Sequence, residues 1–310
     1  MTQELILEPI AFSFVADDAT PLAGILFRSN GAPGAAVLIA GALGVSQRLY
    51  APFARWLADR GHCVMTFDLR GMGASRQPQH RASLRGLDAD MLTWARLDFA
   101  AAVRHLAGLH GGRSIAVVGH SLGFHHAGMT DARTQDKISR VVAVASGSGY
   151  WRDWATPSRR LAPVMFFLAG PIATALFGYF PGKRLRMVSD LPAGVMRQWT
   201  RWCCHPEFAW GAEPELVRPS LLSAKFSITA FSFTDDEAMT ETCTRKLLAA
   251  FSNASSVLER VAPHEVGMDA IGHIGAFKTS GAINLWKRFE ERLMIPSTDT
   301  AGICTADDRQ

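Results

Sequence analysis

From Ala35 onward the chain alternates short apolar runs with longer amphipathic stretches, and no other feature restricts its folding as much. AAVLIA (35–40), the apolar start of CVMTFDLRG (63–71), SIAVVGHS (114–121), VVAVASGSG (141–149), FSITAFSF (226–233) and SVLERVAP (256–263) each read as a strand. Strands with no polar side need cover on both faces of their sheet. The helical patterns QRLYAPFARWLADRG and DADMLTWARLDFAAAVRHLAGLHGG lie between them, with a further helix around Arg245 to Phe251 and a last one near Ile283 to Leu293. The expected class is therefore α/β, a doubly wound and mostly parallel sheet. Before Ala35, runs near Ile10 to Val15 and Leu22 to Phe27 flank the turn-rich ADDAT and predict an antiparallel edge hairpin.

The alternation fails between Gly147 and Pro219, a proline-rich stretch that holds five of the eight tryptophans. We expect residues 1–147 and 220–294 to form one core, interrupted by a helical cap over 148–219, and residues 295–310 to be a frayed tail. Inside the cap, Leu161 to Phe180 runs twenty residues without a charge between basic flanks. Pro163 and Pro171 each remove a helix hydrogen bond, so we read two short buried helices there and not a membrane span. Contact of the cap with a membrane surface stays open.

Charge and cysteine usage exclude several classes. The formal net charge is +4, with no long basic run, which gives nucleic-acid binding no support. Five cysteines without a CxxC pair argue against a disulfide framework and a zinc site. The N-terminal MTQELILEPIAFSF lacks the basic-then-apolar order of a secretory signal, so the expected location is the cytoplasm. No phosphate-loop lysine pattern accompanies the glycines, and we expect neither cofactor nor metal.

The chemistry concentrates at Gly119-His120-Ser121-Leu122-Gly123, between a strand and a helix. A serine hydroxyl attacks a carbonyl only if it stands clear of the backbone and a base takes its proton. A tight strand-to-helix turn gives that exposure and crowds positions two before and two after the serine, where glycines stand. The helix start aims backbone N–H groups at developing negative charge. Ser121 is the candidate nucleophile.

With DLRGMGAS (Asp68, Arg70, Gly71, Gly73, Ser75) and Gly272-His273, the GHSLG turn makes the chain resemble α/β-hydrolases over about residues 20 to 294. GHSLG, the proline-rich cap and SFTDDEAM are most similar to a poorly characterised group of bacterial predicted α/β-hydrolases. That resemblance implies the order serine, acid, histidine. His273, in a glycine-flanked loop after the last strand, is then the expected general base. The acid should end the preceding strand. Asp236, followed by Glu237, Ala238 and Met239, fits the family pattern better than Asp235, while Asp153 is a weaker rival.

For the oxyanion, the Leu122 amide and, by position alone, the Ala42 amide are the expected donors, since the His-Gly of many relatives is replaced by Ala40-Gly41. His120 is expected to line the substrate pocket, and His125 and His126 to be packing or surface residues. Phe124 stands where many relatives have glycine, which predicts a helix set slightly farther from the neighbouring strand. Asp68 and Arg70 should brace their loop, and Cys203, Cys204 and His205 should belong to a packed cap helix. The expected activity is hydrolysis of an ester-like acyl bond in a largely apolar small molecule through Ser121, His273 and Asp236. An acyltransferase using the same acyl-enzyme, or a non-catalytic binding protein, are the alternatives.

Overall fold

The apolar runs join the N-terminal hairpin in one eight-stranded sheet, and its central strands, which lack a polar side, are covered on both faces. The computed structural model describes residues 7–28, 34–156, 158–278 and 282–294. Its main strands are β1 (Ile10–Val15), β2 (Pro21–Phe27), β3 (Ala36–Ala40), β4 (Cys63–Phe67), β5 (Ile115–His120), β6 (Ile138–Val144), β7 (Ser227–Phe233) and β8 (Ser256–Val261). In space they run β1-β2-β4-β3-β5-β6-β7-β8. β1 and β2 form the expected antiparallel hairpin, β2 joins β4 antiparallel, and every later pair is parallel. All residues of β3 and β5 are buried, whereas the edge strand β1 alternates in exposure.

Two helical layers supply the cover. On one face α1 (Ala51–Asp59) and the C-terminal helix (Ile283–Met294) close over the sheet, where Tyr50, Phe53, Phe277, Trp286 and Phe289 interlock. On the other lie the helical stretch from Met91 to Leu109 and α2 (Leu122–Met129), together with part of the insertion. The Met91 to Leu109 stretch carries a π turn, Trp94–Phe99, that buries Asp98. Asp98 is not left alone there. The Arg70 guanidinium reaches it at 2.7 Å and also meets Asp18 at 2.6 Å.

Between β6 and β7 the chain adds helices and one two-residue antiparallel pair, but no strand of the main sheet. Two expectations for this insertion need correction. Its last helix is Pro214–Ser223, so the return to the core lies beyond residue 219; Pro219 is accommodated inside that helix and does not end it. Leu161 to Phe180 is likewise not two short buried helices. Ser158–Phe177 is one continuous helix, α3, of which only about a quarter is buried. A π turn at Met165–Ala169, in which the Gly170 N–H bonds to the Met165 carbonyl five residues back, widens the helix just ahead of Pro171. The expected tail, residues 295–310, lies outside the described residues.

Candidate active site

Strand β5 ends at His120, and the chain reverses sharply into α2, leaving Ser121 at φ 52° and ψ −116°. A non-glycine residue is costly there, by about 1–3 kcal/mol, and the surroundings hold it in place. The Ser121 N–H donates to the Val144 carbonyl at 2.9 Å, and the Ser146 hydroxyl donates to the Ser121 carbonyl at 3.0 Å. The flanking glycines are steric necessities. A methyl at Gly119 would lie 2.5 Å from the Phe124 Cα, and one at Gly123 would lie 2.1 Å from the Ala40 carbonyl oxygen. These contacts also correct the expected outward shift of the helix: Phe124 presents its backbone to Gly119 and sends its ring to Phe251, 5.2 Å between centroids.

Two further strand ends deliver the partners. After β7 come Asp235, Asp236 and Glu237, and after β8 the loop that carries His273. His273 Nδ1 donates to Asp236 Oδ2 at 3.0 Å, which leaves Nε2 free to accept from the Ser121 hydroxyl, also at 3.0 Å. Asp236 is fixed in turn, its Oδ1 accepting the amides of Ala238 and Met239 at 2.8 Å each.

The neighbouring carboxylates have different work. Asp235 Oδ2 accepts the Ile271 and Gly272 amides, and Glu237 Oε2 accepts the His273 amide at 2.9 Å. Three successive carboxylates thus hold one loop, two by its backbone and one by its imidazole. Asp153, the rival acid, instead pairs with Lys246. Burial alone would lower the His273 pKa, but the Asp236 hydrogen bond and the charges of Asp236 and Glu237 outweigh it and raise the pKa above 6.5.

The loop after β3, expected to donate to the oxyanion, departs from expectation. The Ala42 N–H donates to the Tyr50 hydroxyl at 2.8 Å and is therefore already committed. The amides of Leu43 and Leu122 have no acceptor among the described residues, and both residues line the cavity that holds Ser121. His120 is corrected as well: it is fully buried behind the site and does not line that cavity. Burial, with His273 nearby, pushes its pKa down to about 3, so it is neutral with a single ring proton. Its Nε2 donates to the His273 carbonyl at 2.8 Å, so Nδ1 must accept from the Tyr50 hydroxyl, also at 2.8 Å. One chain of hydrogen bonds therefore runs from the Ala42 amide through Tyr50 and His120 to the backbone of the histidine loop. Tyr50 had no sequence signal, because its partners lie up to seventy residues away.

Asp68 and Arg70 brace as expected. Asp68 accepts from the Gln47 side chain and amide and from the Ala74 amide, tying the loop after β3 to the loop after β4. His126 is buried packing, close to Phe99. His125 is more than packing, since it lines the cavity while its Nε2 donates to the Gly147 carbonyl at 3.0 Å. Cys203 is buried and Cys204 half-buried at the end of helix Ala193–Cys203, with His205 just beyond it. Among the described residues no group of three His, Cys, Asp or Glu could hold a metal ion.

The cavity over Ser121 measures about 370 Å³. The insertion forms its outer wall with Trp154, Met187, Val188, Trp199 and Phe208, and among the described residues no Asp, Glu, Lys or Arg side chain lines it. A second cavity of about 350 Å³, between Trp210, Arg218 and Lys246, contains none of the residues hydrogen-bonded to Ser121 or His273.

Comparison with known proteins agrees with this fold. The fold is similar to a carboxyl esterase from Bacillus coagulans, with a TM-score of 0.61 and 12% identity over 93% of this chain and 99% of that one. It is also similar to an enol-lactonase from Burkholderia xenovorans, with a TM-score of 0.57 and 17% identity over 92% of this chain and 100% of that one. At such identities the likeness speaks for the fold alone. No curated protein matches the sequence at a significant level. The sequence profile of the alpha/beta hydrolase family matches residues 36–273, more than half of the chain, and the protein belongs to that family.

Proposed function

We propose that this protein is a serine hydrolase that cleaves an ester-like acyl bond in a largely apolar small molecule. The observation that carries this reading is the unbroken line Asp236–His273–Ser121, with 3.0 Å at each step, ending on a strained serine in an uncharged cavity. His273 takes the Ser121 proton as the oxygen attacks the acyl carbon, and Asp236 stabilises the imidazolium that forms. We assign the oxyanion to the Leu122 and Leu43 amides, which have no other acceptor among the described residues. Collapse expels the alcohol, which leaves with the proton from His273. Water then attacks the acyl-enzyme, His273 takes its proton, and the free acid departs as Ser121 recovers its own.

The wall of Trp154, Trp199 and Phe208 suits an apolar acyl group and offers no ion partner to a charged one. Four free thiols among the described residues suit the reducing cytoplasm we assign to the protein. A fluorophosphonate probe tests the reading directly. Wild type should be labelled and Ser121→Ala should not; equal labelling of both, or none of wild type, would reject it. Turnover should then rise along a series of nitrophenyl esters as the acyl chain fills the cavity.

A further inference from the structure

Helix α3 (Ser158–Phe177) carries an apolar face that nothing in the described fold covers. Leu161, Val164, Phe167, Leu168, Ile172 and Leu176 are 49 to 69% exposed. Steps of three or four residues align them along one side of the helix. The other side is packed: Phe166 lies 5.5 Å from Trp154 and 5.1 Å from Trp199 between ring centroids. The helix therefore lies flat on the molecule, although its length and composition would suffice to cross a membrane. A continuous row of large apolar side chains facing water marks an interaction surface.

Charge indicates what covers it. Between Asp153 and Asp190 the sequence holds no acidic residue and five basic ones, Arg159, Arg160, Lys183, Arg184 and Arg186. All five are exposed, and none pairs with a carboxylate among the described residues. They bracket the apolar row, two at the start of α3 and three in the loop after it. That loop also exposes Leu185 and Met187. A second copy docked face to face would double an uncompensated positive charge, whereas an anionic bilayer would neutralise it. The cavity fits the same orientation. Ser158, which opens α3, and Met187, in the basic loop, both line the cavity that holds Ser121.

We propose that the protein docks on an anionic lipid surface through the exposed face of α3, with the flanking cations on headgroups and the apolar row in the acyl boundary. The mouth of the cavity then meets the bilayer. A face of this kind enters the interface by about 5–10 Å, and each basic side chain near such a surface strengthens binding roughly fivefold. Docking itself is independent of the hydrolase reading; that the cavity draws an acyl ester from the bilayer rests on it.

Vesicle flotation of the full chain tests the docking. Wild type should float with vesicles of phosphatidylcholine mixed with phosphatidylglycerol and bind pure phosphatidylcholine far less. The Arg159→Gln/Arg160→Gln variant should bind the mixed vesicles roughly 25-fold more weakly, and Leu168→Glu/Leu176→Glu should not float. Both variants should keep wild-type turnover of a water-soluble nitrophenyl ester, which shows that they are folded. The proposal is overturned if wild type fails to float with mixed vesicles, or if Leu168→Glu/Leu176→Glu floats like wild type. A dimer in light scattering that this variant splits, without flotation of wild type, would instead make the face a self-interface. Flotation with no turnover of any ester would uphold docking and reject the hydrolase reading.

Discussion

The strand-end site and the surface of α3 treat polar groups in opposite ways. Around Ser121 each carboxylate accepts from a different part of one loop, Asp235 from two of its amides, Asp236 from the imidazole and Glu237 from the His273 amide. On and beside α3, five cations have no carboxylate among the described residues and six large apolar side chains have no cover. The first region is complete within the chain, its polar groups satisfied by one another. The second lacks its counterpart, and its surface describes what lies outside the molecule.

Substitutions that strike only one region test that division. The largest effect is expected at Ser121→Ala, which should lower nitrophenyl-ester turnover by about 10⁵- to 10⁶-fold, while vesicle binding is unchanged. Loss of both together would show that the two regions are not separable.

Next comes Asp236→Asn, expected to cost about 10⁴-fold in kcat because the imidazole loses its orienting acceptor. Asp235→Asn should act mainly on stability, by about 1–3 kcal/mol in chemical denaturation, through two amides left without a carboxylate. The reverse ranking in kinetics would make Asp235 the acid. The pH profile sharpens this further. As the proposed base, His273 takes a proton only when neutral, and its pKa is raised above 6.5, so kcat/KM should fall as pH drops through a midpoint above 6.5. Glu237→Gln removes one of the charges that raise it and should move the midpoint downward.

A smaller effect is expected from Tyr50→Phe, which breaks the line from the Ala42 amide to His120 without touching substrate. Turnover should fall on the order of tenfold, with about 1–3 kcal/mol lost in stability for the orphaned amide and imidazole. Unchanged kinetics with lowered stability would make that line purely structural. The smallest effect belongs to His125→Ala, which should alter KM for long acyl chains by a few-fold and leave the turnover of acetate esters close to wild type.

Much of the core could be read directly from residues. Runs such as AAVLIA and IAVVG have no polar side, and only a sheet covered on both faces can bury them. The sharp turn at Ser121 was legible because two glycines are demanded by contacts under 3 Å with backbone atoms. Asp236 was favoured over Asp235 only through family resemblance, since adjacent residues after one strand differ in direction and not in pattern. What escaped was set at long range. Ala42 fits the oxyanion position by counting along the loop, yet Tyr50, eight residues on, takes its amide. His120 stands beside the serine, yet the strand turns its ring inward to Tyr50 and the His273 carbonyl. The prolines of the insertion promised a broken helix, and a π turn absorbed one of them instead.

Apolar periodicity and glycine sterics act locally, so the strand-and-helix alternation, the family and the residue types at three strand ends are written along the chain. Packing in three dimensions sets which of two carboxylates meets His273, which loop amide is free, and which side of α3 faces water. Those depend on distances between segments far apart in the chain, and no local pattern encodes them.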